Sequence, residues 1–568
     1  MAFAATAHAD ELTDIQAQAK QLREQNAAMT KRLADLEKRQ KALEAKPAVV
    51  TVSPVDAMAA DLPYKAAVKA KPIENDDICW HGVCLYGNFD MGVNWQQHGN
   101  ASSPLAGFPA NTPIEKSSFG SQFLATPNQM STSFIGLRGK QEIADNLYAV
   151  FNLQTLFNPA SGQNANGIGA IVQNNGFGQA PQLGTLANAY GDSSKAGQMF
   201  NNAAYFGVSS PTYGTFTMGR QSALSSDNVV NYDALSGSNA WSLITNEGAT
   251  GGGGVTENRI YDNAYEYRLN VGPVRFAAEA QLPNGGNSAT GLAYQGDVGF
   301  DYLGFSMDFL GGHEKDAIAA SPLSTAQVNA LTSNQVSALV TPAIGGVGSV
   351  GEYAIPCSLG CIAANVSDNT VFAVGAKYVL GPWKLYAGYE HIQFANPSTP
   401  LLPGAFAQGG YNVGFLNNNR YVTDRNQNVF WAGVKYAVTP TFDVIGAYYG
   451  ARQGFFTVGN AQGAGGNGTF VSFPGSGAPT NGVTQAINCA IASASSPGCS
   501  GTIDMFSLAM DWRFARHVDL YAGVAYSTKS GGLANGFVLS NLNGVLTGNT
   551  VINRVSSWDP GIGLRYQF

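Results

Sequence analysis

The sequence predicts an all-β transmembrane barrel of about sixteen antiparallel strands, preceded by an N-terminal α-helical coiled-coil stalk. Three observations carry that fold class. Charged residues make up only 12% of the 568 residues, while aromatics reach 11% and glycine numbers 68. An ordinary globular domain carries about twice that charge. Mean hydropathy is nevertheless -0.06, and no apolar run is long enough for a spanning helix, which needs about 18 residues or more. The apolar residues instead alternate over short segments, as they do in strands with lipid on one side and water on the other. A chain this rich in aromatics is not a disordered one. Its net charge of -7 and isoelectric point near 5.4 speak against nucleic acid as a partner.

The first residues, 1–9, read as the remnant of a signal peptide. Ala7-His8-Ala9 fits a small-residue cleavage site, while the basic and apolar regions that should precede it are missing. An ordinary flexible N-terminus is the alternative. The six cysteines form three tight local pairs: Cys79 with Cys84, Cys357 with Cys361, and Cys489 with Cys499. Short spacings of this kind suit loop-closing disulfides in an oxidising compartment. Zinc needs four ligands close together, and only the first pair has a nearby histidine, His81. Neither a metal nor another cofactor is expected.

Residues 10–46 hold much of the charge and almost no glycine. A heptad fits them, with Leu12, Ala19, Asn26, Leu33 and Gln40 at a and Ile15, Leu22, Met29, Leu36 and Leu43 at d. Sustained a/d order with charged flanks predicts a coiled coil, in which polar a residues such as Asn26 and Gln40 set register and oligomer state. The stalk would be roughly 55 Å long at the helical rise. A lone amphipathic helix is the alternative, but no helical domain follows for it to pack on. Residues 47–77 form a Pro/Ala-rich linker, where Pro47, Pro54, Pro63 and Pro72 exclude a helix.

The barrel is expected over 78–568, and from about residue 83 the period is two. Ile562, Leu564, Tyr566 and Phe568 share one face of the last segment, and Gly561, Gly563, Arg565 and Gln567 the other. Phe506, Leu508, Met510, Trp512 and Phe514 likewise oppose Ser507, Ala509, Asp511 and Arg513. Strands are expected near 83–95, 131–142, 145–157, 201–210, 213–221, 258–271, 273–281, 291–301, 303–312, 369–380, 382–394, 427–438, 440–450, 502–514, 516–527 and 555–568. Short turns such as Gly272-Pro273, Gly381-Pro382 and Thr439-Pro440 alternate with long connections rich in Gly, Asn and Ser. Alternation of this kind belongs to outer-membrane barrels, with periplasmic turns and extracellular loops. An even strand count places both barrel ends on the short-turn side, hence the stalk in the periplasm. About sixteen strands leave an aqueous lumen. Outward aromatics near strand ends (Trp383, Tyr448, Trp512, Tyr526, Tyr566) suit interfacial girdles.

The order of several segments resembles the Gram-negative general (trimeric) porins. These are Leu85-Tyr-Gly-Asn-Phe-Asp-Met-Gly-Val93, Ser133-Phe-Ile-Gly-Leu-Arg-Gly139 followed by Leu147-Tyr-Ala-Val-Phe-Asn-Leu-Gln154, Asn201-Asn-Ala-Ala-Tyr-Phe-Gly-Val208, Tyr213-Gly-Thr-Phe-Thr-Met-Gly-Arg-Gln221 and Arg259-Ile-Tyr-Asp-Asn-Ala-Tyr-Glu-Tyr267. The terminal Phe568 matches the family's membrane-insertion signature, and the stalk resembles coiled coils carried by some of its members. The resemblance implies a homotrimer in the outer membrane, contacting lipid and lipopolysaccharide. It also implies a third loop, here 222–256, folded inside the barrel. On that loop Asp227, Asp233 and Glu247 would face basic wall residues and orient polar solutes. Arg138, Lys140, Arg220, Arg259 and Arg268 remain on the wall. Phe134 and Asn202 stand where the family commonly has arginine, and Glu266 where it often has a basic residue. Strict alternation puts Asn202 on the lipid side with Phe206 and Val208, so its lumenal position rests on the resemblance.

The expected function is passive diffusion of small hydrophilic solutes and ions. Loss of wall charge at Phe134, Asn202 and Glu266 predicts weak anion or mild cation preference. Alternatives are a channel preferring sugars or organic acids, with Trp241, Tyr232 and Tyr261 as stacking surfaces, and an envelope tether binding peptidoglycan through the stalk. The six scattered histidines and the absence of a nucleophile–base motif speak against an enzyme. A plugged transporter would need 22 strands and a folded plug.

Overall fold

The computed structural model describes Lys20, Lys31 and residues 78–97, 121–160, 162, 199–244, 260–283, 292–322, 362–399, 407–408, 411–418, 421–455, 457–458, 462–463, 500–531 and 554–568. The chain divides into two units, Met1–Ser53 and Pro54–Phe568. In the first, Lys20 and Lys31 are helical and exposed. The rest of the heptad region, the signal remnant and the linker lie outside the described residues.

The second unit is a closed antiparallel barrel of sixteen strands. In chain order these are β1 (Val83–Gln96), β2 (Phe134–Ala144), β3 (Leu147–Leu156), β4 (Ala203–Ser210), β5 (Gly214–Ser222), β6 (Ile260–Val271), β7 (Val274–Gln281), β8 (Ala293–Tyr302), β9 (Phe305–Pro322), β10 (Ile362–Leu380), β11 (Trp383–Ala395), β12 (Arg425–Thr439), β13 (Phe442–Gln453), β14 (Gly501–Ala515), β15 (Val518–Gly531) and β16 (Arg554–Gln567). Each pairs with the next, and β1 closes the ring on β16 from Asn88↔Gln567 to Asn94↔Gly561. Phe568 completes the seam by exchanging backbone hydrogen bonds with Gly87. Closure is what lipid demands, because an open edge would leave backbone groups without partners.

Exposure shows which side of the period-two pattern faces outward. In β14, Phe506, Leu508, Met510, Trp512 and Phe514 are exposed, while Ile503, Met505, Ser507, Ala509 and Asp511 are buried. In β16, Trp558, Ile562, Leu564 and Tyr566 point outward, against Ser557, Asp559 and Arg565. Apolar side chains therefore surround the barrel, while its inner face carries polar groups together with an apolar patch, including Val429, Ile445 and Met505, under the third loop. Trp383, Trp512 and Tyr566 are exposed on the outer face. The short turns use residues suited to reversal. Gly272 and Gly381 take φ of 57° and 55°, each just before a proline that cannot donate to a ladder.

The expected positions of the sixteen strands hold, and the structure departs from them in several places. β9 and β10 run further than the alternation suggests, pairing through Pro322↔Ile362 beyond a bulge between Glu314 and Ala317. That extension is rich in Ala and Ser and carries no amphipathic signal. β2 starts at Phe134 instead of 131, because Asn128–Ser133 is buried inside the barrel. A short strand, Gln122–Pro127, pairs with the upper part of β1.

The cysteine expectations divide. Before β1, Ile78–Trp80 forms a hairpin with Val83–Leu85, in which Cys79 and Cys84 are directly opposed and disulfide-bonded. This is the one disulfide among the described residues. Cys357 and Cys361 lie outside the described residues, and so do Cys489 and Cys499. A bond from Cys357 to Cys361, or from Cys489 to Cys499, therefore stays an expectation from their spacing alone.

Candidate pore constriction

After β5 the chain turns into the lumen. Helix α1 (Leu224–Asn231) follows Ser222 closely, and all but its last residue are buried. Side chains of the facing wall satisfy backbone groups at its N-terminus, which has no capping side chain of its own. Leu224 N donates to Glu279 Oε2 at 3.0 Å and Ser225 N to Gln295 Oε1 at 2.8 Å. Asn228 Nδ2 donates to Asp297 Oδ2 at 2.9 Å.

Beyond α1 the loop runs along the wall from β9 to β16. Tyr232 donates its hydroxyl to Asp308 Oδ2 at 2.7 Å, and its carbonyl accepts from Trp431 Nε1 at 2.9 Å. Asp233 Oδ1 accepts from Tyr449 OH at 2.6 Å, and its Oδ2 from Gly237 N at 2.8 Å. Burial pushes the Asp233 carboxyl up, against these hydrogen bonds. The Trp241 indole donates to the Asp559 carbonyl at 3.3 Å, and the Trp241 carbonyl accepts from Ser507 Oγ at 2.6 Å. Glycines make this close approach possible. A Cβ on Gly375 would lie 2.2 Å from the Tyr232 ring, and one on Gly523 would lie 2.8 Å from the Trp241 ring.

Charge meets charge at the root of the loop. Arg268 of β6 reaches Glu266 Oε1 at 2.6 Å and Asp227 Oδ2 at 2.7 Å, so one guanidinium joins the wall to the helix. Arg138 stands 4.9 Å over the Tyr86 ring and Lys140 stands 4.2 Å over the Tyr148 ring, within cation–π range. Tyr86 OH donates to Asn152 Oδ1 at 2.5 Å. Phe134, on the same face of β2 as Arg138, is buried edge-on to Tyr86 with ring centroids 5.4 Å apart.

Several sequence expectations are corrected here. Asp233 does not face open lumen across from basic residues: it is 1% exposed and tethers the loop to β13. Arg220 does not present its charge to open lumen either. It is buried, donates to the Asn201 carbonyl at 2.7 Å and pairs with Asp262 at 2.6 Å, beside a bulge between β5 and β6. Tyr232, Trp241 and Tyr261 are all buried, so none presents a ring face to solutes. Asn202 lies just before β4, where alternation no longer applies, and it donates to the inward Gln154. Arg259 and Glu247 lie outside the described residues. Asp227, Glu266 and Arg268 are brought together; Arg138, Lys140 and Phe134 share β2.

Sequence reasoning missed the tethers on the opposite wall, Trp431, Tyr449, Ser507 and the glycines beneath the loop. A usable signal was present in the inward-facing glycines of β10, β12, β15 and β16 (Gly375, Gly433, Gly523, Gly561), which leave room for a packed segment. Wall clusters such as Arg275 with Asp308 at 2.7 Å and Arg565 with Asp519 at 2.7 Å were also missed.

A family model described as Gram-negative porin matches residues 48–532. The chain belongs to the Gram-negative porins. It is accordingly an outer-membrane channel. No curated protein matches it significantly. Solved structures of similar shape include OmpT of Vibrio cholerae, 12% identical over 87% of this chain and 100% of that one with a TM-score of 0.46. The DcaP channel of Acinetobacter baumannii is 10% identical over 86% and 97%, with a TM-score of 0.41. Salmonella typhi OmpF in complex with daunomycin is 14% identical over 86% and 97%, with a TM-score of 0.41. The family assignment rests on the family model and not on these.

Proposed function

We propose that this porin is a passive diffusion channel for small hydrophilic solutes and ions. The observation that carries this reading is the first half of the third loop, Ala223–Ile244, folded inside a sixteen-strand barrel with polar walls. A segment in that place narrows the aqueous path without closing the ring. Selection is then by size and by the charge beside the narrowing, with no covalent chemistry and no energy input. The groups assigned to the pore wall are Arg138, Lys140, Glu266 and Arg268, with Asp227 on the loop.

Charge at the narrowing is nearly balanced, because the cations Arg138, Lys140 and Arg268 stand against the acids Glu266 and Asp227, both of which Arg268 contacts. Weak anion or mild cation preference follows. The barrels assemble as a homotrimer among outer-membrane lipid and lipopolysaccharide. The heptad pattern of residues 10–46 supports a coiled-coil role in the periplasm, where contact with peptidoglycan would add tethering. Purified protein in planar bilayers under a salt gradient tests the channel and its selectivity together. Discrete conductance steps with a small reversal potential are expected. A protein that adds no conductance sinks the diffusion reading, and a strongly anion-selective channel sinks the charge assignment.

A further inference from the structure

We propose that the constriction is built from two loops, the first and the third, and that Asp90 is the positioning residue that seats both. This rests on the reading of the protein as a diffusion channel. Asp90 lies in β1 on the lumenal face and is fully buried. The first loop folds around it through Asn128–Ser133, all six residues of which are buried. Asp90 Oδ2 accepts from Met130 N at 3.1 Å, Ser131 N at 2.8 Å and Ser131 Oγ at 3.3 Å. Its Oδ1 accepts from the Tyr521 hydroxyl of β15. Its backbone joins in: Asp90 N donates to Ser133 Oγ at 2.9 Å, and the Asp90 carbonyl accepts from Asn128 N at 2.9 Å. Across the seam its Cα partner is Arg565.

The segment so held is the platform for the far end of the third loop. Ala240 N donates to the Gln129 carbonyl at 3.0 Å, and Ser238 Oγ donates to it at 2.9 Å. Asn239 Nδ2 donates to the Asn128 carbonyl at 2.9 Å. Trp241, two residues on, packs on Gly523. The Gln129 side chain fills a trough between Gly92 and Gly561, where added Cβ atoms would lie 2.1 Å and 2.3 Å from its amide. Its Nε2 donates to the Ile562 carbonyl at 3.2 Å. The far end of the third loop therefore rests on the first, which Asp90 holds together with Asn88, whose Nδ2 donates to Ser131 Oγ and to the Thr132 carbonyl. Only a carboxylate offers two oxygens that accept from several donors at once, and hydrogen bonds to ionised acceptors are about twice as strong as neutral ones. An amide keeps one acceptor oxygen and adds two donors that have no place there.

The test compares Asp90→Ala, Asp90→Asn, Ser238→Ala and the double variant combining Asp90→Ala with Ser238→Ala, all in the full chain. Amide exchange at 128–133 and 238–241 is read beside single-channel conductance. Asp90→Ala should speed exchange in both segments by about tenfold or more. It should also raise conductance, with Asp90→Asn intermediate. The double variant should add little beyond the larger single change, as expected for groups acting in one unit. Exchange that rises in 128–133 alone overturns the proposal. So do a folded Asp90→Ala channel of wild-type conductance and strictly additive effects. If Asp90→Ala does not fold, Ser238→Ala and Asn239→Ala decide, and unchanged conductance and exchange in both overturn it. A wild-type protein that does not conduct defeats the diffusion reading instead, while the exchange arm still judges the two-loop unit.

Discussion

At the scale of single residues, the constriction depends on groups whose neighbours differ from those the sequence suggests. Arg268 was legible as a wall cation, but its two carboxylate partners come from different elements, which no spacing reveals. Removing the cation that Glu266 and Asp227 share leaves more negative charge at the narrowing. Arg268→Ala should therefore move the reversal potential toward cation preference; an unchanged potential in a salt gradient would show that this cluster lies off the ion path. Asp233, which the resemblance implies is a field-making acid, is a tether instead. Its carboxyl is raised by burial, so the folded protein holds the proton harder than the unfolded chain does. The stability this contributes is full below the ordinary carboxylate pKa of about 3.9 and is lost as pH rises through the folded value. Asp233→Asn should remove that slope, and Tm measured across a pH series checks it. Arg220 departs from expectation because its partner Asp262 stands beside a bulge that shifts the alternation locally, and a bulge has no fixed sequence mark.

Strands are the elements the sequence announced most clearly. Lipid outside and water inside impose opposite chemistry on successive residues, so alternation is strong wherever a strand crosses the bilayer. It fades where strands extend past the bilayer, which is why the upper parts of β9 and β10 were not foreseen. Leu508, midway along β14 and exposed on the outer face, gives the test at this scale. Leu508→Arg should cost about 2–4 kcal/mol of barrel stability if the site lies near the bilayer midplane. Reversible denaturant unfolding in lipid vesicles measures it, and a negligible cost would place that face off the lipid. Loops obey no such rule. The inward course of Asn128–Ser133 and Ala223–Ile244 depends on partners from β1 to β16, far away in sequence.

For the whole molecule, the expected assembly is a homotrimer. Native mass of the detergent-extracted protein should give three copies; a monomer would undercut the coiled-coil heptad and the trimer expectation together. Local pattern in the chain was enough to set the number of strands, their order, the face each turns to lipid and the family. Strand number and order follow from alternation and from turn residues such as Gly272-Pro273, which act within a few positions; the lipid face follows from the alternation of short turns with long connections, and the family from the order of segments such as Ser133–Gly139 and Leu147–Gln154. The closed barrel was needed to show which acids carry the constriction, that Tyr232, Trp241 and Tyr261 are closed off from solutes, and that the first loop joins the third on Asp90. A barrel brings residues hundreds of positions apart onto one wall. Asp90 and Tyr521 meet across the closing seam, and closure is a property of the ring, which no single segment contains.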